Sequence, residues 1–307
     1  MSQAIMPHLA VPELEHIGRD LVVVLPDGSQ AERLRNYFPD VTPAQIQEML
    51  QAINRQVGLT HHENGDIWAR GTDGPDVMLC TNVARGEDVP LFVDAGAGND
   101  VIIAGAGRYS LDGGPGNDYL IGGGGGDVLY GDSGCDILYS ASGNNHFYGG
   151  PGNDILLGGT GSDQMYGGPG DDRLIGNGGD DTYFFEAGGG HDRLFNRDEA
   201  GDDALCMIEV AADQLWFARQ GNDLEVRRID TGEGVTLQHW FDRPTQRVDT
   251  IEVFSPSGDH ANQRLAKEHV DSLVQAMAAF APPAPGATVL PAEYQAALAP
   301  VIAASWT

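Results

Sequence analysis

"GGPGNDILLGGTGSDQMYGGPGDDRLI", residues 149–175, is three nonapeptides laid end to end, with glycine and aspartate returning at the same places in each. Extending that register in both directions gives ten uninterrupted nonapeptides from Ala95 to Phe184, and the fourth place is glycine every time, from Gly98 through Gly134 to Gly179. The eighth place is apolar in all ten: Ile102, Leu111, Leu120, Leu129, Leu138, Phe147, Leu156, Met165, Leu174 and Tyr183. The sixth is aspartate in eight of ten, namely Asp100, Asp118, Asp127, Asp136, Asp154, Asp163, Asp172 and Asp181, with Tyr109 and Asn145 as the exceptions. One inward side chain per nine residues means a thin core, the mark of a solenoid rather than a globule.

Glycine reaches the positive-φ conformations that aim backbone carbonyls inward from a tight turn, and aspartate adds negative charge to that oxygen-rich wall. A wall of oxygens suits a hard cation that takes six to eight of them. Stacked carboxylates repel one another until a cation lies between them, so the metal-free block is expected to be disordered and metal binding to drive its folding.

The nonapeptide resembles GGxGxDxUx, the calcium-binding repeat of RTX (haemolysin-type) proteins. That resemblance implies a mainly β chain, a calcium-bound parallel β-roll in which glycine-rich turns hold several Ca²⁺ ions between stacked coils. As ligands it implies the eight sixth-place aspartates, with Asp76 from the isolated upstream match "GTDGPDVML" and Asp192 from downstream. The implied carbonyl donors are Gly96, Gly98, Gly114, Gly116, Gly123, Gly125, Gly134, Gly150, Gly152, Gly159, Gly161, Gly168, Gly170 and Gly179. Two repeats per coil sort the aspartates into two columns. One runs Asp100, Asp118, Asp136, Asp154, Asp172 without a break; the other runs Tyr109, Asp127, Asn145, Asp163, Asp181, and only its last gap has aspartate on both sides. Asymmetric occupancy is expected. The plainer alternative is a metal-free solenoid with solvated aspartates. An ice-binding surface would need threonine arrays, and the block has only Thr160 and Thr182.

The flanks read as small α/β caps at both ends. "TPAQ", from Thr42, is an N-cap with proline at the first helical position, and Ile46, Met49, Leu50, Ile53 and Val57 then form one apolar helical stripe. "GRDLVVVLPDGSQAERLRNYF" from Gly18 aligns without gaps on "GNDLEVRRIDTGEGVTLQHWF" from Gly221, which predicts the same two strands, turn and aromatic anchor on each side of the roll. "DTYFFEAGGGHDRLFN" resembles the segment that closes the roll in RTX proteins, and the region around the second copy resembles the domain that commonly follows their repeats. A helix is expected after Asp259, with Leu265, Val270, Leu273, Val274, Met277 and Phe280 on one face. The tail "VLPAEYQAALAPVIAASWT" resembles the uncleaved C-terminal signals read by type I exporters, with a plain docking helix as the alternative. The chain thus divides into an N-terminal cap with a β-hairpin and a helix (1–64), the roll (65–196, regular at 95–184), a β-rich cap (197–260) and a helical tail (261–307).

Composition narrows the function. Among 307 residues, 17 basic face 45 acidic ones for a formal net charge of -28, which repels nucleic acid and anionic membranes. No apolar run is long enough to span a bilayer, and the start lacks the regions of a cleavable signal. Cys80, Cys135 and Cys206 show no metal spacing and read as inert small residues. There is no H-E-x-x-H and no G-x-S-x-G, and "HHEN" at His61–Asn64 fits neither a helical zinc pair nor a catalytic dyad. The expectation is an extracellular calcium-binding scaffold or binding surface, with Ca²⁺, a type I exporter and an extracellular surface or protein target as partners. A toxin or hydrolase with an unrecognised N-terminal site, and a cell-surface adhesin fragment, are the alternatives.

Overall fold

The computed structural model describes residues 13–17, 20–24, 32–34, 58–61, 67–80, 91–197, 201–254, 263–284 and 286–306. Strands β1 (Glu13–Ile17), β2 (Asp20–Val24) and β3 (Glu32–Leu34) form a three-stranded antiparallel sheet. β4 (Gly58–His61) then pairs antiparallel with β5 (Ile67–Thr72), the first parallel strand of the roll.

From there the chain winds between two sheets, each nonapeptide giving a three- or four-residue strand at places seven to nine. One sheet takes β6 (Val77–Leu79), β8 (Val101–Ile103), β10 (Tyr119–Ile121), β12 (Ile137–Tyr139), β14 (Ile155–Leu157), β16 (Arg173–Ile175) and β18 (His191–Phe195). The other takes β5, β7 (Leu91–Gly96), β9 (Tyr109–Asp112), β11 (Val128–Tyr130), β13 (His146–Tyr148), β15 (Gln164–Tyr166), β17 (Thr182–Phe185) and β19 (Ala204–Ile208). Leu120 stacks on Leu138 and Leu138 on Leu156, while Leu129 stacks on Phe147 and Phe147 on Met165. Two nonapeptides make one coil, as the sequence implies, and all ten eighth-place side chains are buried in one continuous core.

The two outer faces differ. On the β6–β18 sheet, Tyr119, Ile121, Ile137, Tyr139, Ile155 and Leu157 belong to a second, buried apolar cluster. On the other sheet a ladder of rings runs along the roll: Tyr130 on Tyr148 at 5.0 Å, Tyr148 on Tyr166 at 4.9 Å and Tyr166 on Phe184 at 4.1 Å between centroids.

Beyond the nonapeptides, β20 (Leu215–Gln220), β21 (Asp223–Arg228) and β22 (Gly234–Leu237) form a meander whose last strand pairs parallel with β18. β23 (Thr250–Phe254) adds parallel to β19, and β24 (Gln263–Ala266) turns back antiparallel on it. Helices α1 (Lys267–Met277) and α2 (Ala292–Ser305) complete an apolar cap around Trp216, Phe217, Trp240, Leu273 and Leu298.

Two expectations are corrected here. The segment from Asp181 to Asn196 does not close the roll: β17 and β18 continue both sheets, because their apolar residues keep the stacking register, and the meander and β23 close it. Leu265 is not on the helix either. It lies in β24 opposite Ile251, the helix starts two residues later, and Phe280 lies beyond its last residue, Met277.

The two flanking copies pair alike. Ile17↔Asp20 and Leu21↔Leu34 on one side match Gln220↔Asp223 and Leu224↔Leu237 on the other. Trp240 of the second copy is 1% exposed under the guanidinium of Arg247, 4.9 Å from its ring centroid. Tyr37, Phe38, the stripe from Ile46 to Val57, and "HEN" after His61 lie outside the described residues.

Candidate metal centre

Each sixth-place residue except Tyr109, which opens β9, immediately precedes a strand, so the parallel pairing that stacks the strands also stacks the aspartates. The first column is Asp76, Asp100, Asp118, Asp136, Asp154, Asp172 and Asp192, which joins the two outlying candidates to the regular five. Every member after Asp76 reaches back one coil: Oδ1 accepts the backbone N–H of the preceding member, at 2.6 Å for Asp76 to Asp100, 2.7 Å for Asp118 to Asp136 and 2.9 Å for Asp172 to Asp192.

The second column follows the same rule through its substitutions. Tyr109 N–H donates to Asp127, Asp127 N–H to Asn145 Oδ1, Asn145 N–H to Asp163 and Asp163 N–H to Asp181, each at 2.9 Å. It then runs past the nonapeptides, since Asp181 N–H donates to Asp203 Oδ1 at 2.9 Å and Asp203 N–H to Asp249 Oδ2 at 3.2 Å. Sequence reasoning missed Asp203 and Asp249. The signal for Asp203 was legible, because Gly201-x-Asp203-x-Leu205 repeats the G-x-D-x-U spacing after an irregular turn. Asp249 carries no such spacing and is found only through the pairing of β19 with β23.

The carboxylates are not solvated. Asp127, Asp136, Asp163 and Asp181 are 0% exposed, against the solvated aspartates of the plain-solenoid alternative. Oδ2 of Asp100, Asp118, Asp136, Asp154, Asp163 and Asp172 is buried without a hydrogen-bond partner. A buried anionic oxygen with no partner is costly, so each is an acceptor waiting for a cation or a proton. The first-place glycines make room for it: a Cβ at Gly113, Gly131 or Gly149 would come within 2.5 Å of Oδ2 of Asp118, Asp136 or Asp154.

Burial is the chief cause of raised proton affinity here. It pushes Asp136 up to about 9, Asp118, Asp154 and Asp192 to about 8, and Asp100 and Asp172 to about 7. Donated backbone N–H groups pull the other way, and neighbouring aspartates add to the rise, Asp154 and Asp118 for Asp136. Asp163 rises only to about 6, because the backbone and side-chain amides of Asn145 both donate to it.

The carbonyls form the rest of the wall. Gly134 holds φ at 145° and a Cβ there would collide with Gly116 O, as one at Gly116 would with Gly98 O and one at Gly152 with Gly134 O. Gly170 repeats it on Gly152 O, Gly114 and Gly168 on Gly96 O and Gly150 O, and Gly125, Gly161 and Gly179 on the second-column side. Two expected donors are engaged elsewhere: Gly123 O accepts Ala141 N–H at 2.8 Å and Gly159 O accepts Gly178 N–H at 3.0 Å.

Among the described residues no three His, Cys, Asp or Glu side chains gather as a metal cluster. The donor set is therefore carbonyl oxygen with one or two carboxylates per gap, all hard, which fits Ca²⁺ and not a thiolate- or imidazole-seeking metal. Cys80, Cys135 and Cys206 form no disulfide, and Cys80 and Cys206 are buried.

The family model for the RTX calcium-binding nonapeptide repeat (4 copies) matches residues 92–120, 112–147 and 148–183. Those spans coincide with the stacked coils that carry the unpartnered carboxylate oxygens. Residues 92–183 of this chain are thus a run of RTX calcium-binding nonapeptide repeats.

Proposed function

We propose that this chain is a secreted RTX protein whose roll folds on Ca²⁺ binding outside the cell and then serves as a rigid scaffold or binding surface. The observation that carries this reading is the row of buried Oδ2 atoms without partners at Asp100, Asp118, Asp136, Asp154 and Asp172. Ca²⁺ would supply the positive partner these oxygens lack; the aspartates would hold it with the fourth-place carbonyls of the turns. An ion that binds only the folded roll stabilises it by RT ln(1 + [Ca²⁺]/Kd), which is near zero at submicromolar cytosolic calcium and grows with every site outside. The chain therefore stays threadable until it is exported. Export through a type I system by the C-terminal tail is the matching route, with the tail read before α2 folds onto the cap.

Circular dichroism of the full chain tests the folding half of this reading. In chelator the roll is expected to be largely disordered, with β-structure rising as Ca²⁺ reaches roughly 0.1 to 1 mM, the range of extracellular modules. A native-like spectrum in chelator at neutral pH, unchanged by calcium, would overturn it.

A further inference from the structure

The second aspartate column ends on a cation of the protein's own. Pairing of β23 with β24 sets Thr250 opposite Ala266, and the next residues out are Asp249 and Lys267. Lys267 N–H donates to Asp249 O at 2.9 Å, and its ammonium is ion-paired with Asp249 Oδ1. Both side chains are mostly buried, at 32% and 23% exposed. Lys267 thus takes the register place that would follow Asp249 in the column, and its ammonium pairs with that last carboxylate. Asn196 Nδ2 donates to Asp203 Oδ2 at 2.6 Å, so the Asp203–Asp249 gap is already supplied with donors by the protein.

The same substitution recurs upstream in this column. Ser140 Oγ donates to Asp127 Oδ2 at 3.2 Å, and Asn145 Nδ2 donates to Asp163 Oδ1 at 2.9 Å and to Gly143 O at 2.8 Å. The first column has no such donors at the Oδ2 atoms named above. It ends differently as well, since the register place after Asp192 is the buried Val235.

We propose that Lys267 stands in for a divalent ion at the end of the second column: Asp249 takes no Ca²⁺ while the ammonium is paired with it, and the Asp203–Asp249 gap takes one when the ammonium is removed. A divalent ion balances two carboxylates; Lys267 with the Asn196 amide does the same work with one charge and one dipole. The inference rests on the calcium reading of the roll, and its test separates the two.

Bound calcium per chain is measured by equilibrium dialysis on the full-length protein, with the folding midpoint followed by circular dichroism. Lys267→Met is expected to bind one Ca²⁺ more than wild type and to need about fivefold more calcium to fold, the scale of a lost, partly buried ion pair. Lys267→Arg is expected to keep the wild-type count, and so is Lys267→Met combined with Asp249→Asn, which leaves no unbalanced charge. An unchanged count in Lys267→Met, when wild type itself binds calcium and folds, overturns the proposal. So does a Lys267→Met chain that stays unfolded at about 10 mM Ca²⁺ while the double variant folds. A wild type that binds no calcium overturns the calcium reading itself.

Discussion

Oδ1 of Asp136 accepts the backbone N–H of Asp118 at 2.7 Å, one coil earlier, while Oδ2 of the same carboxylate is buried without a partner. From Asp100 to Asp172 in the first column, one oxygen of each aspartate thus fixes the stacking and the other asks for a cation. A single side chain joins the geometry of the solenoid to its metal requirement, because the oxygen that binds backbone cannot move without opening the coil.

Replacing Asp136 by alanine removes both functions at once. It is expected to weaken the calcium-loaded roll by about 3 kcal/mol, the scale for stranding charge at a buried site. Asn145→Ala removes neutral hydrogen bonds and is expected to cost about 1 kcal/mol. Calcium titrations of the two variants check the ordering, and equal shifts in folding midpoint would mean that the columns differ less than their hydrogen bonding implies.

Protons compete with calcium for the same oxygens. The first-column carboxylates have folded-state pKa values raised from 3.8 to about 7, 8 and 9 by burial. A raised folded pKa stabilises the folded form below the unfolded value, and that contribution disappears as pH climbs through the folded values. In chelator the roll is therefore expected to be most structured near pH 4 and to lose structure between about pH 4 and pH 9. Calcium affinity should run the other way and fall on acidification. A metal-free spectrum that gains β-structure towards pH 8 contradicts the assignment.

Gly134 has φ of 145°, and a Cβ there would collide with Gly116 O. Gly134→Ala places a methyl on that carbonyl in a backbone region that resists side chains, for an expected loss of about 2 kcal/mol or more. Ala141→Gly, in the same coil, is the contrast, with an expected loss of about 1 kcal/mol. Thermal melts in saturating calcium distinguish them.

Tyr148 is stacked between Tyr130 and Tyr166, at interplanar angles of 9° and 13°. Tyr148→Ala breaks two ring contacts, each worth about 0.5 to 1.5 kcal/mol, so the melting temperature should fall while calcium stoichiometry is retained. A change in stoichiometry would link the outer ladder to the metal wall.

Deleting residues 281–307 is expected to abolish export from a host with a type I system. The truncated chain should still gain β-structure with calcium, at lower thermal stability, because Leu298 and Trp306 are 1% and 7% exposed in the cap core. Normal export of the truncation would remove the case for a C-terminal signal.

The solenoid and most of its site were legible in the sequence, since a nine-residue period with glycine, aspartate and an apolar residue at fixed places admits only stacked turns and short strands. Leu120, Leu138 and Leu156 could be placed on one another before any coordinates, because the repeat itself is the register. Tertiary structure decided everything that leaves the period. Asp249 joins the second column only because β23 lies on β19, 46 positions along the chain from Asp203, and Lys267 meets it only because β24 turns back on β23. The meander pairs onto β18 through backbone groups that no residue type announces. A local period can specify which residues stack; where the stack ends, and on what charge, depends on contacts between distant segments.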